Sequence, residues 1–402
     1  MDKIEELLTR GVANIYPSKE ELEKVLRSGK KLQLYQGFDP TGTQLHIGHM
    51  VGLKKLRQWQ DLDHKVIFLI GTGTGQAGDP SGKTTSREKF LSEEELRKNA
   101  KDYVMQAGKI VRFDGDNRVE IRYNSEWFNE LNFSAMLTLV GHFSVQQLLE
   151  RDLFQERMKQ GEPINVRAFL YPIFQAYDSL RLEVDLEVGG TDQTFNMLCG
   201  RQLVKYAHGG KKGKFVMTTP LLTDSEGRKI GKTEGNVIAI TDDPKDLFGK
   251  IMALPDEIIS KGFEYLTDIP LSEIKKIEKA IAKGDNPVKY KKQLAFEITK
   301  DLNNIESAQN AQENFEKTVQ KKELPEEITE VKIMSNEPIK LDQLIFESGL
   351  TTSKAEAKRI IEQGGVEVEG AKITNPTKLI ELKSGMLIRS GKRKIIRLKI
   401  NN

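Results

Sequence analysis

Cysteine occurs once in the 402 residues, as Cys199. A lone cysteine excludes an internal disulfide framework and fits a reducing compartment. Histidine is nearly as scarce, with five copies, so a histidine-rich metal site has little to draw on. Long apolar runs are missing: near the N-terminus the longest, residues 66–70, is far too short to span a bilayer. The opening MDKIEELLTR is charged from its second residue and does not read as a secretory signal. No single sign of charge dominates, at a net +3 with 30% charged and 38% hydrophobic residues. That balance suits a soluble chain of about two to four domains. The expectation is a cytoplasmic, multidomain protein with no membrane partner.

The small net charge hides an asymmetry. From residue 341 onward twelve Lys and Arg stand against seven Asp and Glu, a local +5, so the rest of the chain sums to −2. A basic module on a near-neutral body suggests a polyanionic partner, although a solvated face has the same composition.

Periodicity organises what is present. In PSKEELEKVLRSG (17–29), Ser18 and Glu21 form a capping box and Gly29 ends the helix. KLQLYQGF (31–38) alternates as a strand and runs into the turn DPTGT, after which HMVGLKKLRQWQDL (49–62) reads as an amphipathic helix. KVIFLIG (65–71), VEIRYN (119–124) and LEVDLEV (182–188) read as strands, and SEEELRKNAKDYVMQ (92–106) as a capped helix. This alternation predicts an α/β, doubly wound (Rossmann-like) parallel sheet for residues 1–242. Charged helical patterns follow over 243–320, an acidic linker over 321–337, and a small α+β module over 338–402. In that module Ser353 and Glu356 open a helix that stops at Gly364-Gly365. Four short strands follow, with a basic cluster that includes Lys392, Arg393 and Lys394.

Several motifs carry chemistry. LHIGHM (45–50) sets His46 and His49 three apart around Gly48, just after a strand and turn. A zinc helix wants its histidines four apart with a glutamate between, and no further ligands cluster nearby, so no metal site is expected. The strand-turn-helix context instead suits an anion, with unpaired N–H groups at a helix start near His49 and two imidazole donors. In GTGTGQAGDPSGKTTSR (71–87), Gly73, Gly75 and Gly78 imitate a dinucleotide fingerprint, but a turn follows where a helix should open. The same stretch imitates a phosphate-binding P-loop but carries Ala77 where that loop needs glycine. What remains is a glycine-lined floor at a strand end, with Asp79, Lys83 and Arg87 close behind. GRKIGKTEGN (227–236) places Lys229, Lys232 and Thr233 on a glycine-flanked loop, which on its own would read as an exposed basic turn. AFLYPIFQAYDSLRLEVDLEVGGTDQTFN (168–196) puts Tyr171, Gln175, Asp178, Asp192 and Gln193 among apolar neighbours. Buried Asp and Gln need partners, so Gln175 and Asp178 face either a polar ligand or each other.

Together, LHIGHM and KIGKT some 180 residues later resemble the two signatures of class I aminoacyl-tRNA synthetases. YQGFDPTGTQLHIGH, GDPSGK, QAYDS, GGTDQ and KIGKT stand in the order and spacing of the bacterial-type tyrosyl-tRNA synthetases. LDQLIFESGLTTSKAEAKRIIEQGGVEVEG resembles the S4-type RNA-binding domain of that branch. The resemblance implies a tyrosine–tRNA ligase using ATP with accompanying Mg2+, L-tyrosine and tRNA(Tyr). It also implies a homodimer joined through residues 128–160. It implies that Tyr35 and Asp178 bind the phenolic hydroxyl, with Asp79, Tyr171, Gln175 and Gln193 around the ammonium group. Gly37, Asp39, Thr41, Gly48 and Asp192 would line the ATP site. His46, His49, Lys83, Arg87, Lys229, Lys232 and Thr233 would act on the phosphates. The helical stretch would face the anticodon arm, and Lys392, Arg393 and Lys394 would contact tRNA. The second signature departs from the class consensus at Gly231 and Thr233, both usual in the tyrosyl branch. A non-tRNA nucleotidyltransferase, a tryptophanyl-tRNA synthetase and an inactive RNA-binding protein are the rivals; the S4-like tail, the Tyr35/Asp178 pair and the intact histidines respectively stand against them.

Overall fold

The computed structural model describes residues 2–79, 90–230, 237–320, 329–333, 338–391 and 394–400. They divide into two compact units, residues 1–242 with 251–304, and residues 243–250 with 305–402.

The first unit is built on six strands: β1 (Asn14–Tyr16), β2 (Gln33–Phe38), β3 (Lys65–Ile70), β4 (Glu120–Tyr123), β5 (Leu186–Gly190) and β6 (Phe215–Thr219). Their spatial order is β1-β6-β5-β2-β3-β4, with β2 through β6 parallel and β1 antiparallel on the edge. β3 is buried at five of its six positions, as expected of a parallel strand covered on both faces. From β2 the chain winds one way to β3 and β4, and β5 and β6 lie on the other side. The order therefore reverses between β2 and β5, where doubly wound sheets open a ligand crevice at their carboxyl ends.

Helices up to the second half of the sheet are α1 (Lys3–Thr9), α2 (Lys19–Arg27), α3 (Ile47–Asp61), α4 (Thr74–Ala77), α5 (Glu93–Ala107) and α6 (Ser125–Phe128). α7 (Phe133–Val140), α8 (Val145–Leu149), α9 (Asp152–Gln160), α10 (Val166–Arg181) and α11 (Thr194–Ala207) follow. Local signals explain several starts. Ser18 accepts the Glu21 N–H, and Ser92 and Glu95 form a reciprocal box. The strand expected at 182–188 instead occupies Leu186–Gly190. Leu182 ends α10, Glu183 takes a positive φ of 50°, and Leu182 and Val184 are buried within the turn. Burial of alternate residues in a turn thus copied a strand pattern. α13 (Ile258–Leu266), reached after α12 (Pro244–Met252), packs on α3, and α14 (Leu271–Ala282) and α15 (Pro287–Leu302) pack with α13 or follow it.

In the second unit α16 (Ile305–Phe315) precedes a small sheet. β7 (Thr329–Ile333) lies inside the stretch expected to be a linker, because TEVKI alternates and seats Ile333 in the core. After β8 (Ile339–Lys340), α17 (Leu341–Glu347) and α18 (Lys354–Glu362) pack together. β9 (Val366–Val368), β10 (Ala371–Ile373), β11 (Leu379–Ile380), β12 (Leu387–Ser390) and β13 (Lys394–Ile400) complete it. The sheet order is β10-β9-β12-β13-β7, with β11 paired to β8. Leu341, Leu344, Ile345, Ile361, Val366 and Ile388 form its dry centre.

Candidate active site

At the reversal point between β2 and β5 lies a cavity of about 430 Å3. Tyr35, Gly37, Asp39, Thr41, His46, Gly48, His49, Asp79, Tyr171, Gln175, Asp178, Asp192, Gln193 and Lys229 all line it. The chain thus gathers fourteen of the positions named from the sequence around one crevice, from β2, α3, α10 and the loops after β2, β3, β5 and β6. Lys83, Arg87, Lys232, Thr233, Lys392 and Arg393 lie outside the described residues, as does the side chain of Lys394.

One end of the cavity is closed by buried polar groups. Asp178 is 3% exposed and accepts from Trp127 Nε1 (2.9 Å) and Asn124 Nδ2 (3.2 Å). Burial pushes its carboxyl well above the usual range, while those two donors act in the opposite direction. Tyr35, equally buried, shares a 2.8 Å hydrogen bond with Ser179 Oγ. Gln175 and Asp178 do not bond each other, which resolves the alternative left open above: Gln175 instead donates to Glu187 and accepts from Asn196.

Asp39, at the end of β2, accepts from Thr74 Oγ1 (2.7 Å) and from the Tyr171 hydroxyl (2.8 Å). Burial and the Asp39 charge hold the Tyr171 phenol well above its ordinary pKa. A side chain at Gly71 would overlap the Asp39 carboxylate, so this carboxylate occupies space that only glycine leaves. Asp79 accepts from Gln193 Nε2 (2.8 Å) and Arg151 (3.3 Å).

The histidine pair also lines the cavity. The helix starts two residues earlier than expected, with His46 itself as N-cap of α3. The helix-start amides are not left open for an anion: Ile47 N–H bonds the Ile238 carbonyl and Gly48 N–H bonds His46 Nδ1 at 3.1 Å. The expectation of unpaired amides is corrected here, because the imidazole takes the capping role that Ser or Asp usually fills. His49 Nδ1 accepts the His46 N–H at 3.2 Å, and the two rings lie 3.9 Å apart. Since each Nδ1 accepts, each neutral ring carries its proton on Nε2. The site is therefore supplied with imidazole donors in a fixed tautomer. Lys229 Nζ donates to Asp192 Oδ2 at 2.7 Å, tying the second signature to the loop after β5. Among the described residues no three His, Cys, Asp or Glu side chains converge as a metal site.

Sequence reasoning missed the groups that support this lining: Asn124, Trp127, Arg151, Ser179, Glu187, Asn196 and Lys214. Trp127 carried a faint signal as one of only two tryptophans, placed just beyond β4. Glu187 alternates with valine inside a buried strand, where a carboxylate needs a reason. Lys214 carried none.

The family model of class I tRNA synthetases of the tryptophan and tyrosine type matches residues 27–320, and the S4 domain model matches residues 339–386. A tyrosine–tRNA ligase of Dehalococcoides mccartyi is 42% identical over 98% of both chains. One from Thermotoga maritima is 41% identical over 98% of this chain and 96% of its own. Among solved structures, a C-terminally truncated mitochondrial tyrosyl-tRNA synthetase of Aspergillus nidulans aligns with a TM-score of 0.65 at 25% identity. That alignment covers 77% of this chain and 92% of that one.

Proposed function

The chain belongs to the class I tRNA synthetases of the tryptophan and tyrosine type and carries an S4 domain, and from this premise we propose that it is a tyrosine–tRNA ligase. It activates L-tyrosine with ATP, releasing pyrophosphate, and passes tyrosine from the adenylate to the 3′-terminal adenosine of tRNA(Tyr). The observation that carries the choice of tyrosine is Asp178, a buried carboxylate at the closed end of the cavity, held by two N–H donors.

Asp178 and Tyr35 bind the phenolic hydroxyl. A pocket built to bond a hydroxyl leaves its own polar groups unpaired when phenylalanine enters; the handling of tyrosine by this enzyme class is the standard illustration of that rule. Asp79, Tyr171, Gln175 and Gln193 hold the ammonium group, which leaves the carboxylate directed at the nucleotide. Gly37, Asp39, Thr41, Gly48 and Asp192 line the ATP site. The tyrosine carboxylate oxygen attacks the α-phosphorus, and the bond to the bridging oxygen of pyrophosphate breaks. No covalent protein nucleophile is required, so the protein positions the reactants and stabilises charge growing on the β- and γ-phosphates. His46 and His49 donate from Nε2, joined by Lys83, Arg87, Lys229, Lys232 and Thr233. Magnesium enters as part of the substrate, bound to the triphosphate. A ribose hydroxyl of the tRNA then attacks the adenylate carbonyl carbon and AMP leaves.

Lys392, Arg393 and Lys394 contact tRNA phosphates, and the helical stretch faces the anticodon arm. The working form is a homodimer: Phe133, Leu137, Val145 and Met158, between 52% and 78% exposed, offer apolar surface across α7 to α9. The substrates place it in the cytoplasm, which suits its one buried thiol. The division of labour is tested by a chain ending after residue 320, ahead of β7, so that no strand is left without its partner β13. It keeps tyrosine-dependent pyrophosphate exchange and loses most tRNA charging. Equal loss of both activities contradicts the assignment of tRNA binding to the basic module.

A further inference from the structure

Along the cavity wall, three side-chain amides run between two carboxylates, and all five groups but Asn196 line the cavity. Glu187 on β5 forms an ion pair with Lys214, and both are fully buried. Ser179 Oγ donates to Glu187 Oε2 (3.1 Å) and accepts from Lys214 Nζ (2.7 Å). Gly200 on α11 makes room for this cluster, since a Cβ there would lie 2.7 Å from Lys214 Nζ and 2.8 Å from Ser179 Oγ. From Glu187 the chain of bonds continues outward. Gln175 Nε2 donates to Glu187 Oε1 (3.0 Å), and Gln175 Oε1 accepts from Asn196 Nδ2 (2.9 Å). Asn196 Nδ2 also donates to Gln193 Oε1 (2.9 Å), and Gln193 Nε2 donates to Asp79 Oδ2 (2.8 Å).

An amide can turn over without changing shape, whereas an ionised carboxylate only accepts. Carboxylates at both ends therefore force each glutamine to give its NH2 outward and its carbonyl to Asn196. The single NH2 of Asn196 serves both carbonyls, and the pattern has one solution. It carries a cost: among the described residues none donates to the buried Asn196 Oδ1, a penalty that an apolar filler would not incur. The consequence reaches the cavity. A carbonyl accepts two hydrogen bonds, so Gln175 keeps a second lone pair for a cation in a cavity that the Asp79 carboxylate also lines.

We propose that Glu187, clamped by Lys214, and Asn196 are positioning residues that fix the amide orientation of Gln175 and Gln193, so that the cavity presents acceptors to the substrate α-ammonium. This inference rests on the reading of the cavity as a tyrosine site. Its test compares three ligands on the full chain: L-tyrosine, tyramine, which keeps the ammonium, and 3-(4-hydroxyphenyl)propanoate, which lacks it. The variants are Asn196→Leu and the charge-neutral double variant Glu187→Gln/Lys214→Met. Calorimetric affinity for tyrosine and tyramine falls about tenfold in each, the scale of one hydrogen bond, and changes less than about twofold for the deaminated acid. Equal loss for all three ligands reduces the network to general support of the fold and overturns the proposal. No loss for any of them overturns it as well. Asn196→Leu leaves the ion pair intact and decides the matter if the double variant does not fold. If the unaltered protein binds none of the three ligands, the tyrosine reading itself fails, an outcome distinct from either of these.

Discussion

Replacing Asp178 by asparagine changes almost no volume and separates binding from specificity. Both carboxylate oxygens now accept, one from Trp127 Nε1 and one from Asn124 Nδ2. An asparagine has one acceptor oxygen, so its NH2 must face one of those donors. That leaves a buried donor unsatisfied, at about 1–3 kcal/mol of stability. Against the substrate hydroxyl, the loss is a hydrogen bond to a charged group, about 1.5–3 kcal/mol, or roughly ten- to hundredfold in kcat/KM for tyrosine. Phenylalanine has no hydroxyl to lose, and in the variant it no longer strands a carboxylate. The ratio of tyrosine to phenylalanine therefore shrinks from both sides. The assay is ATP–pyrophosphate exchange with each amino acid, beside a thermal melt that registers the stability loss separately. Parallel decline for both amino acids, with selectivity unchanged, refutes the reasoning and returns Asp178 to the core as a structural residue.

Three further outcomes follow from particular contacts. His46→Ala and His49→Ala lower the single-turnover rate of adenylate formation roughly hundredfold, the scale for removing one donor to transition-state charge, with ATP affinity nearly unchanged; loss of affinity without loss of rate contradicts this. His46→Ala also removes the α3 cap, so it lowers the melting temperature, and His46→Asn restores the melt but not the rate. Lys55, buried with its ammonium on the Leu7 and Arg10 carbonyls, has its pKa depressed to about 7, chiefly by burial. Between about 7 and the ordinary lysine value the native state holds fewer protons than the unfolded chain, so stability rises with pH in that window. Lys55→Met removes that rise, at most about 1.4 kcal/mol per pH unit, and denaturant melts at pH 7 and 9 measure it.

How far the sequence carried this picture depends on what kind of force acts at each place. Period-two and helical patterns placed β2, β3, β4, α2, α3 and α5 because burial of one face is written in local order. β1 and β6 were not seen: Asn14–Tyr16 is three residues long, and Phe215–Thr219 ends in threonines that pair rather than alternate. Tight local spacing brought His46, Gly48, His49 and Asp79 to notice, whereas Tyr35, Gly37, Asp39 and Thr41 came only through the family resemblance. The supporting network stayed hidden for the opposite reason. Glu187 and Lys214 are 27 positions apart, and Trp127 and Asp178 are 51 apart. No local spacing joins these partners before the sheet closes on them. The helix-start amides were misjudged because imidazole capping at His46 has no place in the usual preference for Ser, Thr, Asp and Asn. β7 was taken for linker because its five residues stand beside an acidic stretch, and only its partner β13 shows what the alternation is for.

What decides the reading of the cavity between β2 and β5 is whether it activates tyrosine and no other amino acid. Amino-acid-dependent ATP–pyrophosphate exchange, run with each of the twenty amino acids on the same preparation, tests it most directly. Rapid exchange is expected with tyrosine, and every other amino acid, phenylalanine and tryptophan included, falls far below it. Exchange led by tryptophan, or none with any amino acid, would contradict it.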